Sequence, residues 1–345
     1  MTWAYRDESD RLGFPAAPIA VGLACVVLVA AVVYVTRRHH DTTPAGVVNV
    51  PAGTGTFAPG DRPPTAQVIA GLAYGPDPVQ RIDLYRPPGA RGRLPVMVYL
   101  HSGGWLSGGR DQVPDFLLQE VTRANIEVAS VGYRLSGAHG VNPFPAAPSD
   151  VDRALRWLTA NSAFLALDPT RVVLSGTSAG GHLAALTAAA PGAFTDPVLP
   201  AALLKATPHV VGVIDAVGPS DLLSMGREPG IAAGMVTSFL ACSSTNVASC
   251  DAAKLRAASV TTHLTASAPP AFLVYGRKDT LVPPSTQGTP LARDWARARG
   301  DDTRAPAERG VWYEIADDGH NVSQATINMD ALQRWLAAVL SGHLR

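Results

Sequence analysis

Cysteine is nearly missing from this chain: three in 345 residues, at Cys25, Cys242 and Cys250, too few and too scattered for a zinc cluster or a fold assembled on disulfides. Charge is scarce as well, at 16% of residues, and neither sign is in excess, since 28 Lys and Arg face 28 Asp and Glu. No basic stripe breaks that balance, so nucleic acid is not the expected partner and a compact, neutral substrate fits better. No sequence repeat is present either. What abounds is apolar side chains, 47% of the total, which excludes a disordered protein and suffices for one large core.

An uncharged run extends from Phe14 to Val35, and its densest apolar part is Ile19 to Val35. As a helix that dense part rises about 26 Å, and the whole stretch about 33 Å, which brackets the hydrocarbon thickness of a membrane. A secretory signal would have a shorter apolar region and a small-residue cleavage site, whereas Arg37 and Arg38 follow here. Residues 1–13 are therefore expected to be a tail and residues 14–36 a single-pass transmembrane anchor. Arg6 and Arg11 precede the span and two arginines follow it, so the positive-inside rule is nearly balanced. Cys242 and Cys250, eight positions apart, could close a disulfide only outside the cytoplasm, which points the bulk of the chain to the extracytoplasmic side.

Residues 37–65, rich in Pro, Gly and Thr without helical or strand periodicity, read as a tether. From about Ala66 strand-like and helix-like segments alternate, which predicts one α/β domain, 66–345, around a mostly parallel sheet flanked by helices. The strand candidates are Gln80 to Tyr85, Leu94 to Leu100, Ile126 to Val131, Arg171 to Ser175, Val210 to Ala216, Ala271 to Tyr275 and Val311 to Ile315. Helix candidates include Ser149 to Asn161, Ala179 to Ala190, Pro290 to Ala298 and Ser323 to Ser341, with Ser149 and Ser323 where N-caps belong. Residues 222–263 read as an insertion; its Met225, Met235, Phe239 and Leu240 suit either a flexible apolar cover or an ordinary helical excursion.

Chemistry concentrates at four strand ends. A β-branched run reaches Ser175 and then turns through Gly176-Thr177-Ser178-Ala179-Gly180 into a helix. A serine on such a sharp strand-to-helix turn needs small neighbours so that its hydroxyl stands clear. Upstream, LPVMVYL runs into His101-Ser102-Gly103-Gly104-Trp105. Glycine amides can approach a developing oxyanion without obstruction, so Gly103 and Gly104, with the amide of Ala179, are the expected oxyanion donors.

A serine hydroxyl needs a base, and the base needs an orienting carboxylate. Asp279 leaves the end of the strand Ala271 to Tyr275, and His320 follows the strand Val311 to Ile315 in the loop Asp317-Asp318-Gly319-His320. Among rivals, His101, His182, His209, His263 and His343 read as structural. Asp317 and Asp318 lie too near His320 along the chain, and Asp215 and Asp221 follow the wrong strand; Asp318 suits a cap on the last helix. The order Ser178, Asp279, His320 is that of α/β-hydrolases.

On these motifs the chain resembles the α/β-hydrolase superfamily, and within it the hormone-sensitive-lipase-like and acetyl-xylan/feruloyl-esterase-like carboxylesterases. The resemblance runs from about Tyr74 to Leu340 and includes Tyr133-Arg134-Leu135, Asp150 through Leu158, GTSAGGHLAAL, GRKDTLVP and DDGH. It implies an α/β-hydrolase fold, Ser178, Asp279 and His320 as catalytic residues, a small ester as substrate, and no metal or cofactor. Ser102 stands where a first glycine is usual and Thr177 where an acid often precedes the serine, so the resemblance leaves the substrate open. A serine peptidase of the prolyl-oligopeptidase type shares this residue order, but the chain has no room for the accompanying propeller. An inactive hydrolase-like binding module is the other alternative.

Overall fold

The computed structural model describes residues 47–49, 68–137, 141–227, 230–304 and 309–344. The chain divides into two units, Met1–Thr42 and Thr43–Arg345, and the described residues all lie in the second. The expected anchor at 14–36 lies outside the described residues. Among those that are described, no helix is long and apolar enough to cross a membrane.

One sheet organises the second unit. Its strands are β1 (Val47–Asn49), β2 (Val68–Ala73), β3 (Arg81–Tyr85), β4 (Leu94–Leu100), β5 (Glu127–Val131), β6 (Leu167–Thr177), β7 (Val210–Ala216), β8 (Ala271–Gly276) and β9 (Val311–Ala316). They lie in the order β1-β2-β3-β5-β4-β6-β7-β8-β9. From β5 to β9 every neighbouring pair is parallel, and β3 is antiparallel to both β5 and β2. The mostly parallel sheet is thus as expected, with two corrections at its edge. Val47–Asn49, inside the segment read as a tether, pairs with Val68–Ala70, and β2 precedes the first strand candidate. Both are short, and β1 and β2 stand at one end of the strand order; runs of so few residues carry little periodic signal.

Strands β4, β5 and β8 are buried at every residue, as strands covered on both faces must be. The alternation of β4 divides the core in two. Val96, Val98 and Leu100 join the larger cluster, while Met97 and Tyr99 point into the other. The larger layer holds α2 (Ala146–Ala160), α3 (Ala179–Ala189) and α8 (Thr289–Arg299); the smaller holds α1 (Asp115–Arg123) and α9 (Met329–Leu340). A short α4 (Ala201–Lys205) lies between α3 and β7, and the stretch 222–263 carries α5 (Leu222–Met225), α6 (Ile231–Leu240) and α7 (Ala252–Ala257). Phe239 and Leu240 of α6 are fully buried in the larger cluster, so the insertion is packed onto the domain. A Cys242–Cys250 disulfide closes the turn between α6 and α7.

Two helix starts differ from expectation. Helix α2 begins three residues before Ser149, whose hydroxyl donates to Phe194 O at 2.8 Å instead of capping. Helix α9 begins only at Met329, with the Asn328 side chain accepting from Ala331 N at 3.0 Å as its cap. Ser323 does not cap it, because its backbone N–H and hydroxyl both donate to Asp318 at 2.9 Å. Thr326 donates to the same Asp318 oxygen, so Asp318 ties the loop 318–326 together and caps no helix.

Candidate active site

The C-terminal ends of β4, β6, β8 and β9 meet at one rim of the sheet, where open parallel sheets place their chemistry. Ser178 follows β6 directly, with φ 55° and ψ −121°, a conformation that costs a non-glycine residue about 1–3 kcal/mol. Its surroundings enforce that geometry. Ser178 N donates to Ala216 O at 2.8 Å, and Ser178 O accepts from His182 N at 2.9 Å. A Cβ on Gly176 would lie 2.3 Å from Gly180 C, and one on Gly180 would lie 2.0 Å from Leu100 O. The two glycines of the elbow are therefore required by contact, as the motif implied.

Asp279 and His320 are joined by a clip between their loops. Arg277 N donates to Ala316 O and Lys278 N to Asp318 O, both at 2.8 Å. Gly276 permits it, since a Cβ there would lie 2.0 Å from Gly319 O. The result is a continuous row: Asp279 Oδ2 lies 2.7 Å from His320 Nδ1, and His320 Nε2 lies 2.8 Å from Ser178 Oγ. Asp279 Oδ1 accepts the backbone N–H groups of Leu281 and Val282 at 2.8 Å each. Burial pushes this carboxyl up, but the hydrogen bond and charge of His320 and the two backbone donors outweigh it and hold the carboxyl below its ordinary range. An ionised Asp279 only accepts, so Nδ1 carries the ring proton and Nε2 offers a lone pair to the serine hydroxyl. Ser178 and Asp279 are buried, and His320 retains 25% side-chain exposure.

Gly103 and Gly104 adopt φ 117° and 61°, a region glycine enters without penalty. A Cβ on Gly103 would lie 2.0 Å from Ser107 O. Among the described residues neither N–H meets a backbone acceptor, and Ala179 opens α3, whose first N–H groups lack intrahelical partners. Helix α6 closes over this loop: a Cβ on Gly104 would lie 2.9 Å from Met235 Sδ, and Phe239 stacks on Trp105 with ring centroids 4.5 Å apart.

The rival residues fall outside the row. His101 is stacked on Tyr133 at 4.1 Å, and burial pushes it down to about 4. His182 is buried beside Trp105. Asp317 is exposed, 3.1 Å from Lys278 Nζ. Asp215 lies one strand away, fully buried, accepting from Gly218 N at 2.8 Å and Tyr275 Oη at 3.1 Å. Burial pushes its carboxyl up to about 7 against those hydrogen bonds. A Cβ on Gly181 would lie 2.2 Å from Asp215 Oδ1, so Asp215 supports the elbow from beneath. Gly181, the third residue after the serine, is the sequence feature that this contact requires.

Solved structures with the same architecture include esterase B of Lactobacillus rhamnosus, at TM-score 0.64 and 18% identity over 94% of this chain and 96% of that one. A truncated carbohydrate esterase from gut microbiota matches 81% of this chain and 100% of its own at TM-score 0.66 and 17% identity. Among curated proteins, the carboxylesterase NlhH of Mycobacterium tuberculosis is 42% identical over 107 residues, 31% of this chain and 33% of that protein. The probable carboxylic ester hydrolase LipM of the same organism is 26% identical over 70% of this chain and 56% of its own length. The chain thus spans between a third and just over half of these relatives. The sequence model of the BD-FAE family covers more, residues 82–293, a stretch that takes in the oxyanion-type loop, the serine elbow and Asp279 but stops short of His320. With its α/β-hydrolase architecture and that match over more than half of its length, the chain belongs to the BD-FAE family.

Proposed function

We propose that the protein is a serine carboxylester hydrolase acting on small or short-chain esters through an acyl-enzyme. The observation that carries this reading is the row from Asp279 through His320 to Ser178, with contacts of 2.7 and 2.8 Å in the tautomer that leaves Nε2 free to take a proton. As His320 Nε2 removes the hydroxyl proton, Ser178 Oγ bonds to the ester carbonyl carbon and the carbonyl oxygen becomes an oxyanion. Gly103, Gly104 and Ala179 are the amides that face it, and one well-placed donor is worth about 3–4 kcal/mol in related chemistry. The intermediate collapses by breaking the bond to the alcohol oxygen, which takes the proton from His320 and leaves. Water then gives its proton to His320, attacks the acyl carbon and frees the carboxylic acid, and Ser178 recovers its proton.

The test is turnover of p-nitrophenyl esters from acetate to palmitate beside matching p-nitroanilides, with fluorophosphonate labelling to count active sites. Ester turnover falling with chain length is expected. Faster cleavage of the anilides, or no labelling, would overturn the reading in favour of a peptidase or an inactive module.

We further propose that residues 14–36 anchor the protein in a membrane with the hydrolase domain outside the cytoplasm. The uncharged run in the sequence and the Cys242–Cys250 disulfide, a bond that persists in oxidising compartments, support this. Protease added to intact cells is expected to remove the domain; complete protection would reverse the orientation.

A further inference from the structure

Trp105 follows directly on Gly103 and Gly104 and is itself unusual, a buried tryptophan at φ 64°, where bulky residues are rarely found. Stacking on Phe239 holds one face of its ring. The indole N–H donates to His182 Nδ1 at 3.2 Å. His182 lies one turn past Ser178 on α3, and its other ring nitrogen is 2.7 Å from the carbonyl oxygen of Ala258, the residue just after α7. A carbonyl can only accept, so Nε2 carries the proton; an indole can only donate, so Nδ1 offers the lone pair. Both bonds therefore require the same neutral tautomer, and burial, which pushes His182 down to about 4, keeps it neutral.

A packing role alone would not call for such a side chain. The residues around it on α3, Leu183 through Ala185, are apolar and fully buried, and a leucine would fill that layer without burying polar atoms. An imidazole there joins three parts of the molecule by directed bonds: the helix that carries the serine, the loop that carries the two glycines, and the insertion.

We propose that His182 is a positioning residue, whose Nδ1 bond to Trp105 fixes the Gly103 and Gly104 amides in register with Ser178. The inference rests on the esterase reading and adds to it the means by which oxyanion donors and nucleophile keep one geometry. Amides 103 and 104 belong to a loop, Ser178 to an elbow, and no other side-chain hydrogen bond among those of Trp105 and His182 links the two.

Two amide side chains separate the two bonds. In His182→Asn the side-chain oxygen stands where Nδ1 stood and can accept from Trp105 without reaching Ala258. In His182→Gln the side-chain nitrogen stands where Nε2 stood and can donate to Ala258 O, but nothing accepts from Trp105. With p-nitrophenyl acetate, and counting only sites labelled by fluorophosphonate, His182→Gln is expected to lower kcat by about 30- to 100-fold with KM within about twofold, the signature of donors lost from the transition state. The conservative His182→Asn is expected to restore kcat to within about threefold of the unaltered protein. Trp105→Phe, which keeps the ring and removes the donor, should match His182→Gln, and the double variant should be no worse than either. Equal kcat per labelled site in the Asn and Gln variants, or losses that multiply in the double variant, would overturn this inference alone. An unaltered protein that turns over no ester would sink the esterase reading and this inference with it.

Discussion

Asp279→Asn is expected to lower kcat by about 10⁴-fold while leaving KM within about twofold. The direction of the effect follows from the two backbone donors at the far side of the carboxylate. Leu281 N and Val282 N both point at Oδ1, so an asparagine must place its oxygen there and its NH₂ group toward His320. An NH₂ group donates, which forces Nδ1 to accept and shifts the ring proton to Nε2. The nitrogen 2.8 Å from Ser178 Oγ then has no lone pair for the hydroxyl proton. Substrate contacts are untouched, so the loss falls on kcat.

The same variant has a signature in acid. The Asp279 carboxyl is held below its ordinary value in the folded protein, so its ionised form contributes stability that is present above the unfolded value of about 4 and is lost as pH falls through the lower folded value. The Tm difference between the unaltered protein and Asp279→Asn should therefore be largest near about pH 6 and shrink toward about pH 3. A variant that keeps more than about a tenth of kcat would show that the carboxylate does not set the tautomer.

What the sequence made legible was local. Ser178, Asp279 and His320 each sit a few residues past an apolar run, so the strand ends located them before any distance was known. The elbow glycines were readable for the same reason: Gly176 and Gly180 face each other within one turn of chain. The Trp105 to His182 bond was not readable, because its partners are 77 positions apart and either residue alone looks like ordinary core. The starts of α2 and α9 were misplaced for a related reason. Ser149 and Ser323 have the chemistry of N-caps, but a hydroxyl goes to whichever acceptor the tertiary fold brings near, Phe194 O in one case and Asp318 in the other.

Ser178→Ala is expected to abolish nearly all turnover, with kcat down by about 10⁶-fold and fluorophosphonate labelling lost. Unfolding will not account for it. Alanine carries a Cβ just as serine does, so the strain at φ 55° is the same in both, and the backbone bonds from Ser178 N to Ala216 O and from His182 N to Ser178 O do not involve the hydroxyl. Tm should stay within a degree or two, whereas Ser178→Gly, which relieves the strained conformation, should raise it by an amount set by about 1 kcal/mol or more. Groups that act as one unit do not lose activity additively. If His320 serves only to take the proton from this hydroxyl and pass it on, then Ser178→Ala combined with His320→Ala will be no slower than either alone. A further fall in the double variant would mean that the imidazole activates water independently of the serine, and that the acyl-enzyme route is not the one this site uses.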